Sequence, residues 1–258
     1  MVCVAAGAAA GAAGGSAGAG SSLSPAEFVG AAPVEFFEAL ERERPHLRER
    51  FSHQVWLDYE AAPVLNRVRA RLARVTGLPA RVMDNAEDVQ IVRYPPLGHY
   101  ACHHDSSPDD VAAGDVRLVT AAVFLNDVPL GGETAFPGAR NDSGAANWDV
   151  HRWEQLEEAC QATSACTSLG GLVVAPRKGD GLLWYNVRLD ALAASRGRGR
   201  DVGAESVLWS SLHCGAEVRA GEKWLANFWF NLPRAWARPR RRRRRGRRRE
   251  ERRREERG

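Results

Sequence analysis

The chain has 258 residues, 44% of them hydrophobic, which is enough for one sizeable folded core with extensions. Residues 234–258 hold 15 arginines and 4 glutamates, a net charge of +11, whereas the rest of the chain has 21 basic and 28 acidic residues. The high isoelectric point therefore belongs to the tail and indicates no anion-binding cleft in the body. Five cysteines are too few for a disulfide scaffold, and no apolar run of 18 or more residues predicts a membrane span.

The N-terminal third is predicted to be a leader followed by helices. Residues 1–22 are mostly Ala, Gly and Ser and lack a basic segment and a leucine-rich core, so they predict a disordered low-complexity leader rather than a signal peptide. Within the helical region, residues 23–88, the pair Ser24-Pro25 opens a helix expected over residues 23–50. Apolar residues at helical spacing predict a second helix over residues 62–76. We interpret both helices as packing support.

The pattern changes after Pro79 to short segments rich in β-branched and aromatic residues, separated by turn residues. These segments predict eight strands, over residues 89–94, 100–105, 117–125, 132–136, 172–175, 181–186, 212–218 and 223–231. A helical insertion is expected over residues 148–162. The prediction is a mainly β fold over residues 89–233, a double-stranded β-helix (jelly roll, cupin-like) supported by the N-terminal helices.

A His-x-Asp pair, His103 and Asp105, lies in the second predicted strand. Residues two apart on a strand face the same way, so one metal ion can take both side chains. A His-x-Asp pair alone is a weak signal and is often an ordinary surface pair. His213 supplies a third candidate ligand, and two histidines with one carboxylate form the facial triad of non-haem Fe(II) oxygenases. The sequence therefore predicts an Fe(II) site made of these three residues.

Lys223 follows His213 by ten residues and precedes the apolar run 224–230. If the two residues lie on adjacent antiparallel strands joined by the Ala220-Gly221 turn, both side chains can face into the barrel. A buried lysine is unfavourable unless an anion pairs with it, and the distal carboxylate of 2-oxoglutarate would be such an anion. The alternative is a solvent-exposed lysine on an edge strand.

The cysteines suggest no zinc site by their spacing. Cys102 and Cys214 each adjoin a proposed histidine ligand and, as strand neighbours, are expected to point to the opposite face. We interpret them as small hydrophobic core residues. Cys160 and Cys166 lie in one predicted loop and could pair in an oxidising compartment, a question that the sequence leaves open.

Four segments in the same order carry a family resemblance: VQIVRYPPLGHYACHHD, AAVFLNDVPLGGETAFP, VVAPRKGDGLLWYN and SLHCGAEVRAGEKWLANFWFN. Over roughly residues 51–231 the chain resembles the catalytic domain of the prolyl 4-hydroxylases, a family of 2-oxoglutarate- and Fe(II)-dependent dioxygenases, and most of all its transmembrane form. The EF-hand-like region and the membrane segment of that form are not seen in this chain. Pro95-Pro96 also replaces the small residues usual after the tyrosine.

The resemblance implies that His103, Asp105 and His213 bind iron and that Lys223 binds the C5 carboxylate of 2-oxoglutarate. These four are the candidate catalytic residues. An intact set disfavours the alternative of a non-catalytic binding module with the same fold.

The resemblance also implies roles for four further residues. Tyr94 and Thr134 occupy positions of 2-oxoglutarate contacts, and Tyr100 and Trp229 occupy positions near the peptide-binding region. An ordinary packing role is the alternative for each of them. Trp184 is a further candidate for an aromatic surface that would receive a proline-rich peptide.

The function implied by the resemblance is 4-hydroxylation of a prolyl residue in a protein or peptide, with release of succinate and CO2. Fe(II), 2-oxoglutarate and L-ascorbate would be required, and the endoplasmic reticulum would be the compartment. The alternative substrate is nucleic acid, which only the basic tail supports, because such demethylases usually bind the keto acid through arginine. Residues 234–258 are interpreted as a disordered, composition-biased tail. The peptide and the oligomeric state are left open.

Overall fold

The computed structural model describes residues 2–5, 33–139, 166–167, 171–191 and 206–233. Several predicted features lie outside these ranges: the leader beyond Ala5, the first ten residues of the first helix, the helical insertion and the arginine-rich tail. All of the candidate catalytic and binding residues lie inside them.

Four α-helices lie within the described residues: α1 Pro33–Glu43, α2 Pro63–Thr76, α3 Ala80–Met83 and α4 Pro108–Ala113. The second predicted helix is confirmed as α2. The first was wrong at its C-terminal end, because α1 ends at Glu43, a 3-10 turn follows at Pro45–Leu47 and a strand begins at Arg50. Pro45 lacks the backbone N–H that would continue the helix. None of the described helices combines the length and apolar composition that a membrane span requires.

Thirteen strands lie within the described residues: β1 Val2–Ala5, β2 Arg50–Phe51, β3 His53–Leu57, β4 Val89–Tyr94, β5 His99–His103, β6 Arg117–Phe124, β7 Leu130–Gly131, β8 Thr134–Phe136, β9 Leu172–Val174, β10 Gly181–Tyr185, β11 His213–Gly215, β12 Val218–Ala220 and β13 Lys223–Asn231. Each predicted strand has a counterpart, and the one expected over residues 212–218 divides into β11 and β12. β1, β2, β3 and β7 were not predicted, and β1 contradicts the expectation that residues 2–5 belong to a disordered leader.

The strands form two larger antiparallel sheets and a small ribbon. The six-stranded sheet has the order β1-β10-β6-β13-β4-β3, the five-stranded sheet has the order β2-β5-β11-β8-β9, and β12 pairs with β7. The two larger sheets pack face to face, with the rings of Phe136 in β8 and Trp184 in β10 5.2 Å apart. This arrangement confirms the predicted double-stranded β-helix.

The central strand β13 shows how the fold separates core from cavity. Its residues 223, 225, 227 and 229 line the cavity between the sheets. Ala226, Phe228 and Phe230 point to the other face, where they join a buried cluster with Leu65 of α2 and Val82 of α3. Because strand residues alternate between faces, the helices cover one side of the sheet and leave the other for a site.

A short segment connects β5 to β6 and carries Asp105. The Ser106 hydroxyl donates to the Arg117 carbonyl at 3.1 Å and accepts from the Arg117 N–H at 2.8 Å. Ser107 then caps α4 in a capping box with Asp110. These bonds hold the segment in one conformation next to the cavity.

Candidate active site

The structure brings His103, Asp105 and His213 together between the two large sheets. Nε2 of His103 lies 3.9 Å from Oδ1 of Asp105, and Nε2 of His213 lies 3.8 Å from Oδ2 of the same carboxylate. The three ligand atoms all lie within 4.8 Å of one another. Two imidazole nitrogens and one carboxylate oxygen thus converge on one point.

The three residues come from two neighbouring strands and one loop. β5 and β11 are antiparallel neighbours in which His103 and His213 stand opposite each other. The prediction that β5 reaches Asp105 was wrong, because the strand ends at His103. Asp105 joins the cluster from the segment that follows.

Both histidines have a fixed orientation and tautomer. Nδ1 of His103 donates to the Ala101 carbonyl at 2.8 Å, and Nδ1 of His213 donates to the Ser211 carbonyl at 2.9 Å. Since a carbonyl oxygen only accepts, Nδ1 of each ring carries a proton and Nε2 is the nitrogen that faces the cluster. Burial, together with the neighbouring His213, lowers the pKa of His103 to about 3. The neutral imidazole is the form that binds a metal ion.

Asp105 is held by a chain of two hydrogen bonds. Oγ1 of Thr120 donates to Oδ2 of Asp105 at 2.6 Å and accepts from Nδ2 of Asn186 at 2.9 Å. Burial alone would raise the pKa of Asp105, but His213, His103 and the Thr120 hydrogen bond outweigh it and lower the pKa. The group is therefore a carboxylate. Sequence reasoning missed Thr120 and Asn186, although each is a polar residue in a strongly apolar segment.

Aromatic rings pack against both imidazoles. Tyr100 stacks on His103 with ring centroids 3.7 Å apart. Trp184 meets His213 edge to face at 4.8 Å, and Phe136 stacks on the same imidazole at 5.5 Å. Trp184 is only 2% exposed, so the idea that it offers a surface to a peptide was wrong. Its role here is to hold His213.

Lys223 occupies the opposite wall of the cavity and is 2% exposed. Its ammonium donates to the Gly132 carbonyl at 2.7 Å and to Oγ1 of Thr134 at 3.2 Å. It lies 5.5 Å from the centroid of the Tyr94 ring. Within the described ranges no carboxylate forms a salt bridge with it, and burial lowers its pKa to about 8. One N–H of the Lys223 ammonium therefore remains available to donate to an anion, and no carboxylate among the described residues balances its positive charge.

The expected route by which His213 and Lys223 meet was wrong. His213 is in β11 of the five-stranded sheet, whereas Lys223 is in β13 of the six-stranded sheet, with β12 between them in sequence. The two strands are not hydrogen-bonded neighbours. Their side chains line one cavity because the two sheets face each other across it.

The cavity has a volume of about 210 Å³. All nine residues named from the sequence line it: Tyr94, Tyr100, His103, Asp105, Thr134, Trp184, His213, Lys223 and Trp229. Tyr94 is 5% exposed, and burial raises its pKa to about 12, so its hydroxyl stays protonated and can donate a hydrogen bond to an anion.

Residues that were not predicted form another part of the cavity wall. The Arg117 guanidinium lies 3.9 Å from the centroid of the Trp229 ring and makes two hydrogen bonds to Glu87, at 2.7 and 2.8 Å. Trp56 packs on Trp229 at 5.5 Å and is 45% exposed, whereas Trp229 itself is 5% exposed. Arg50 lies 4.4 Å over the ring of Tyr100. Arg50 and Trp56 were missed because β2 and β3 were not predicted.

Comparison with known proteins assigns the family. Residues 89–231 match the family model described as the 2OG-Fe(II) oxygenase superfamily. The chain belongs to this superfamily. Its members are iron- and 2-oxoglutarate-dependent oxidoreductases, and the matched residues include the whole His/Asp/His cluster and Lys223.

The chain is also similar to named prolyl hydroxylases. Transmembrane prolyl 4-hydroxylase of Homo sapiens is 32% identical over 208 residues, which cover 73% of this chain and 39% of that protein. Prolyl 4-hydroxylase 5 of Arabidopsis thaliana is 31% identical over 187 residues, which cover 72% of this chain and 54% of that protein. The chain thus spans about half or less of the length of these relatives.

A solved structure shares the fold. The viral collagen prolyl hydroxylase of Paramecium Bursaria Chlorella virus-1, in complex with 2-oxoglutarate, has a TM-score of 0.50 and 24% sequence identity. The alignment covers 82% of this chain and 92% of that chain. It supports the jelly-roll architecture.

The residues present suit the iron and keto acid of the superfamily. The donor set is two imidazole nitrogens and one carboxylate oxygen, the set with which non-haem Fe(II) oxygenases hold iron. A buried ammonium with no carboxylate partner among the described side chains stands across the same cavity. 2-Oxoglutarate has one end that can chelate a metal ion and a free carboxylate at the other end, so it matches both features.

Proposed function

We propose that the chain is the catalytic domain of a prolyl 4-hydroxylase, which hydroxylates a prolyl residue of a protein or peptide and converts 2-oxoglutarate to succinate and CO2. The observation that carries the proposal is the placement of the His/Asp/His cluster and Lys223 on facing walls of one cavity of about 210 Å³. The similarity to two named prolyl 4-hydroxylases supports the choice of substrate.

His103, Asp105 and His213 would hold Fe(II), which supplies oxidative decarboxylation of 2-oxoglutarate by O2 and hydroxylation of a substrate C–H bond. The Thr120 hydroxyl fixes the Asp105 carboxylate, and the carbonyls of Ala101 and Ser211 fix the two rings. Such partners keep the donor atoms aimed at one point before the metal binds.

Lys223 binds the distal carboxylate of 2-oxoglutarate in this proposal. Thr134 and the Gly132 carbonyl hold the ammonium in place, and the Tyr94 hydroxyl adds a hydrogen-bond donor. Burial strengthens the attraction between ammonium and carboxylate, because little water screens it. Lys223 therefore fixes how far the keto end of 2-oxoglutarate extends toward the proposed metal site.

The prolyl substrate would approach over the aromatic part of the cavity wall. Tyr100 and the exposed Trp56 provide flat apolar faces of the kind that receive proline-rich chains, and the largely buried Trp229 supports Trp56 from behind. Ascorbate is expected to sustain turnover by keeping iron in the ferrous state.

The test is turnover with Fe(II), 2-oxoglutarate, ascorbate and a panel of proline-rich peptides. The expected result is peptide-stimulated succinate formation, with a mass gain of one oxygen atom located on proline by fragmentation. Both signals should be absent from His213→Ala, which removes a ligand. If a methylated oligonucleotide stimulates turnover and no peptide does, the substrate is nucleic acid rather than a prolyl peptide. The absence of turnover with every substrate would favour a binding module.

A further inference from the structure

A second cluster of side chains lies on the five-stranded sheet, behind the proposed iron site. It consists of Cys102 in β5, Cys214 in β11 and Cys166, which precedes β9 in sequence. Their sulfur atoms all lie within 4.8 Å of one another, and those of Cys102 and Cys166 are 3.1 Å apart. None of the three is in a disulfide. The sequence prediction treated Cys102 and Cys214 as separate core residues and did not foresee this cluster.

We propose that Cys102 and Cys166 are a disulfide-forming pair that fastens the strand bearing His103. A disulfide needs a sulfur–sulfur distance of about 2.05 Å, so the two atoms must approach by roughly 1 Å, which rotation of the two side chains can supply. The sequence had left open a pairing of Cys166 with Cys160. Cys160 lies outside the described residues, and within them the structure places the Cys102 thiol against that of Cys166.

The surroundings favour a disulfide over a metal ion. Cys166, Cys214 and the neighbouring Ala135 are all 0% exposed and form one apolar cluster. A disulfide is neutral and suits such a place, whereas three thiolates around a divalent ion would leave a buried negative charge. Structural zinc sites also use four ligands, and this cluster supplies three from the described residues.

The chemistry is thiol–disulfide exchange with an oxidant of the disulfide class, such as glutathione disulfide. Cys102 is partly exposed and attacks one sulfur of the oxidant, which releases one thiol and leaves a mixed disulfide on Cys102. Cys166 then attacks the Cys102 sulfur and displaces the second thiol. The two protein thiols lose two electrons and two protons, and the oxidant becomes two thiols.

The cross-link would join parts of the chain that are 64 residues apart in sequence. It would restrict the unfolded chain and tie β5 to the segment that precedes β9. Cys102 and His103 are strand neighbours and point to opposite faces, so the link can form without moving the imidazole. We expect the thermal midpoint of the oxidised protein to exceed that of the reduced protein by roughly 5 to 10 °C.

The experiment uses the full chain, reduced, then incubated with glutathione disulfide, alkylated and digested with trypsin without reduction. The expected product joins peptide 94–117, which contains Cys102, to peptide 153–177, which contains Cys166. The link and the rise in thermal midpoint should persist in Cys160→Ser and Cys214→Ser. Both should be lost in Cys166→Ser and Cys102→Ser.

Three outcomes would overturn the proposal. A link to peptide 201–219 would assign the pair to Cys214, and a link that survives Cys166→Ser would assign it to Cys160. Retention of all thiols together with one equivalent of zinc in the purified protein, lost on replacing any cysteine of the cluster, would make the cluster a metal site.

Discussion

At the scale of single residues, the candidate site depends on partners that lie far away in sequence. His103, Asp105 and Lys223 could be singled out from the sequence, because a His-x-Asp pair and a lysine before an apolar run are local signals. Thr120 and Asn186 could not, because their role arises only when β6 and β10 pair next to the segment after β5. The cysteine cluster was missed for the same reason.

Thr120→Val tests the support of the Asp105 carboxylate. The substitution keeps the shape and removes the 2.6 Å hydrogen bond, so we expect the affinity for Fe(II) to fall by roughly 10- to 100-fold. Thr120→Ser keeps the hydroxyl and should stay close to the parent protein. Anaerobic Fe(II) titration measures both. Equal affinity of the two variants would show that the hydroxyl has no part in metal binding.

The pH dependence of 2-oxoglutarate binding tests Lys223. Burial lowers the pKa of Lys223 to about 8, so the ammonium is present below that pH and is lost above it. A carboxylate needs the ammonium, so the dissociation constant should be flat below about pH 8 and rise by about tenfold for each pH unit above it. Calorimetric titration with the metal site saturated measures this. Lys223→Met should bind weakly and without the inflection, and an inflection that persists in this variant would assign it to another group.

At the scale of secondary-structure elements, the period of two in the sequence predicted most strands correctly. β13 is the clearest case, because its odd-numbered residues from 223 to 229 line the cavity, whereas Ala226, Phe228 and Phe230 enter the core. Short β2 and β3 were missed because they lie in a region with helical patterns on both sides. The sequence also could not predict where β5 ends or to which sheet β11 belongs, since both depend on pairing between strands that are distant in sequence.

The ribbon of β7 and β12 positions the Gly132 carbonyl, which accepts a hydrogen bond from the Lys223 ammonium. Gly131→Ala tests this role of the ribbon. Gly131 has φ +77°, and an added Cβ would lie 2.3 Å from the Glu217 carbonyl oxygen. We expect a loss of about 3 kcal/mol in the free energy of unfolding and weaker 2-oxoglutarate binding. Gly179→Ala is the matched control, because its φ is +88° but nothing lies within 4 Å of the added atom.

Gly179→Ala should lose only about 1 kcal/mol, the strain of the left-handed backbone, and should bind 2-oxoglutarate normally. Chemical denaturation gives the free energies of both variants. Equal losses would mean that the close approach between β7 and β12 does not constrain the fold.

At the scale of the whole molecule, each large sheet contributes half of one site. The five-stranded sheet carries the two histidines, and the six-stranded sheet carries Lys223 and Tyr94. A ligand that touches both halves binds only the folded protein and therefore stabilises it. The overall jelly roll could be predicted from strand number and turn residues, but the facing of its two sheets across the site required the structure.

Thermal unfolding with and without ligands tests this linkage. Fe(II) with 2-oxoglutarate at about 100 times its dissociation constant should add about 2.7 kcal/mol of stability, which raises the midpoint by roughly 5 to 10 °C. His213→Ala, which lacks one metal ligand, should show little change on addition of both. The same rise in this variant would place the binding site elsewhere in the molecule.

The most direct test of a site shared by two sheets is anaerobic calorimetry of 2-oxoglutarate binding with and without Fe(II). We expect one equivalent to bind to the parent protein only when Fe(II) is present. His103→Ala, on one sheet, should abolish the dependence on iron, and Lys223→Met, on the other, should greatly weaken binding even with iron. Unchanged affinity in Lys223→Met, or tight binding without iron, would contradict the account that one cavity holds the keto acid between the metal ligands and the buried lysine.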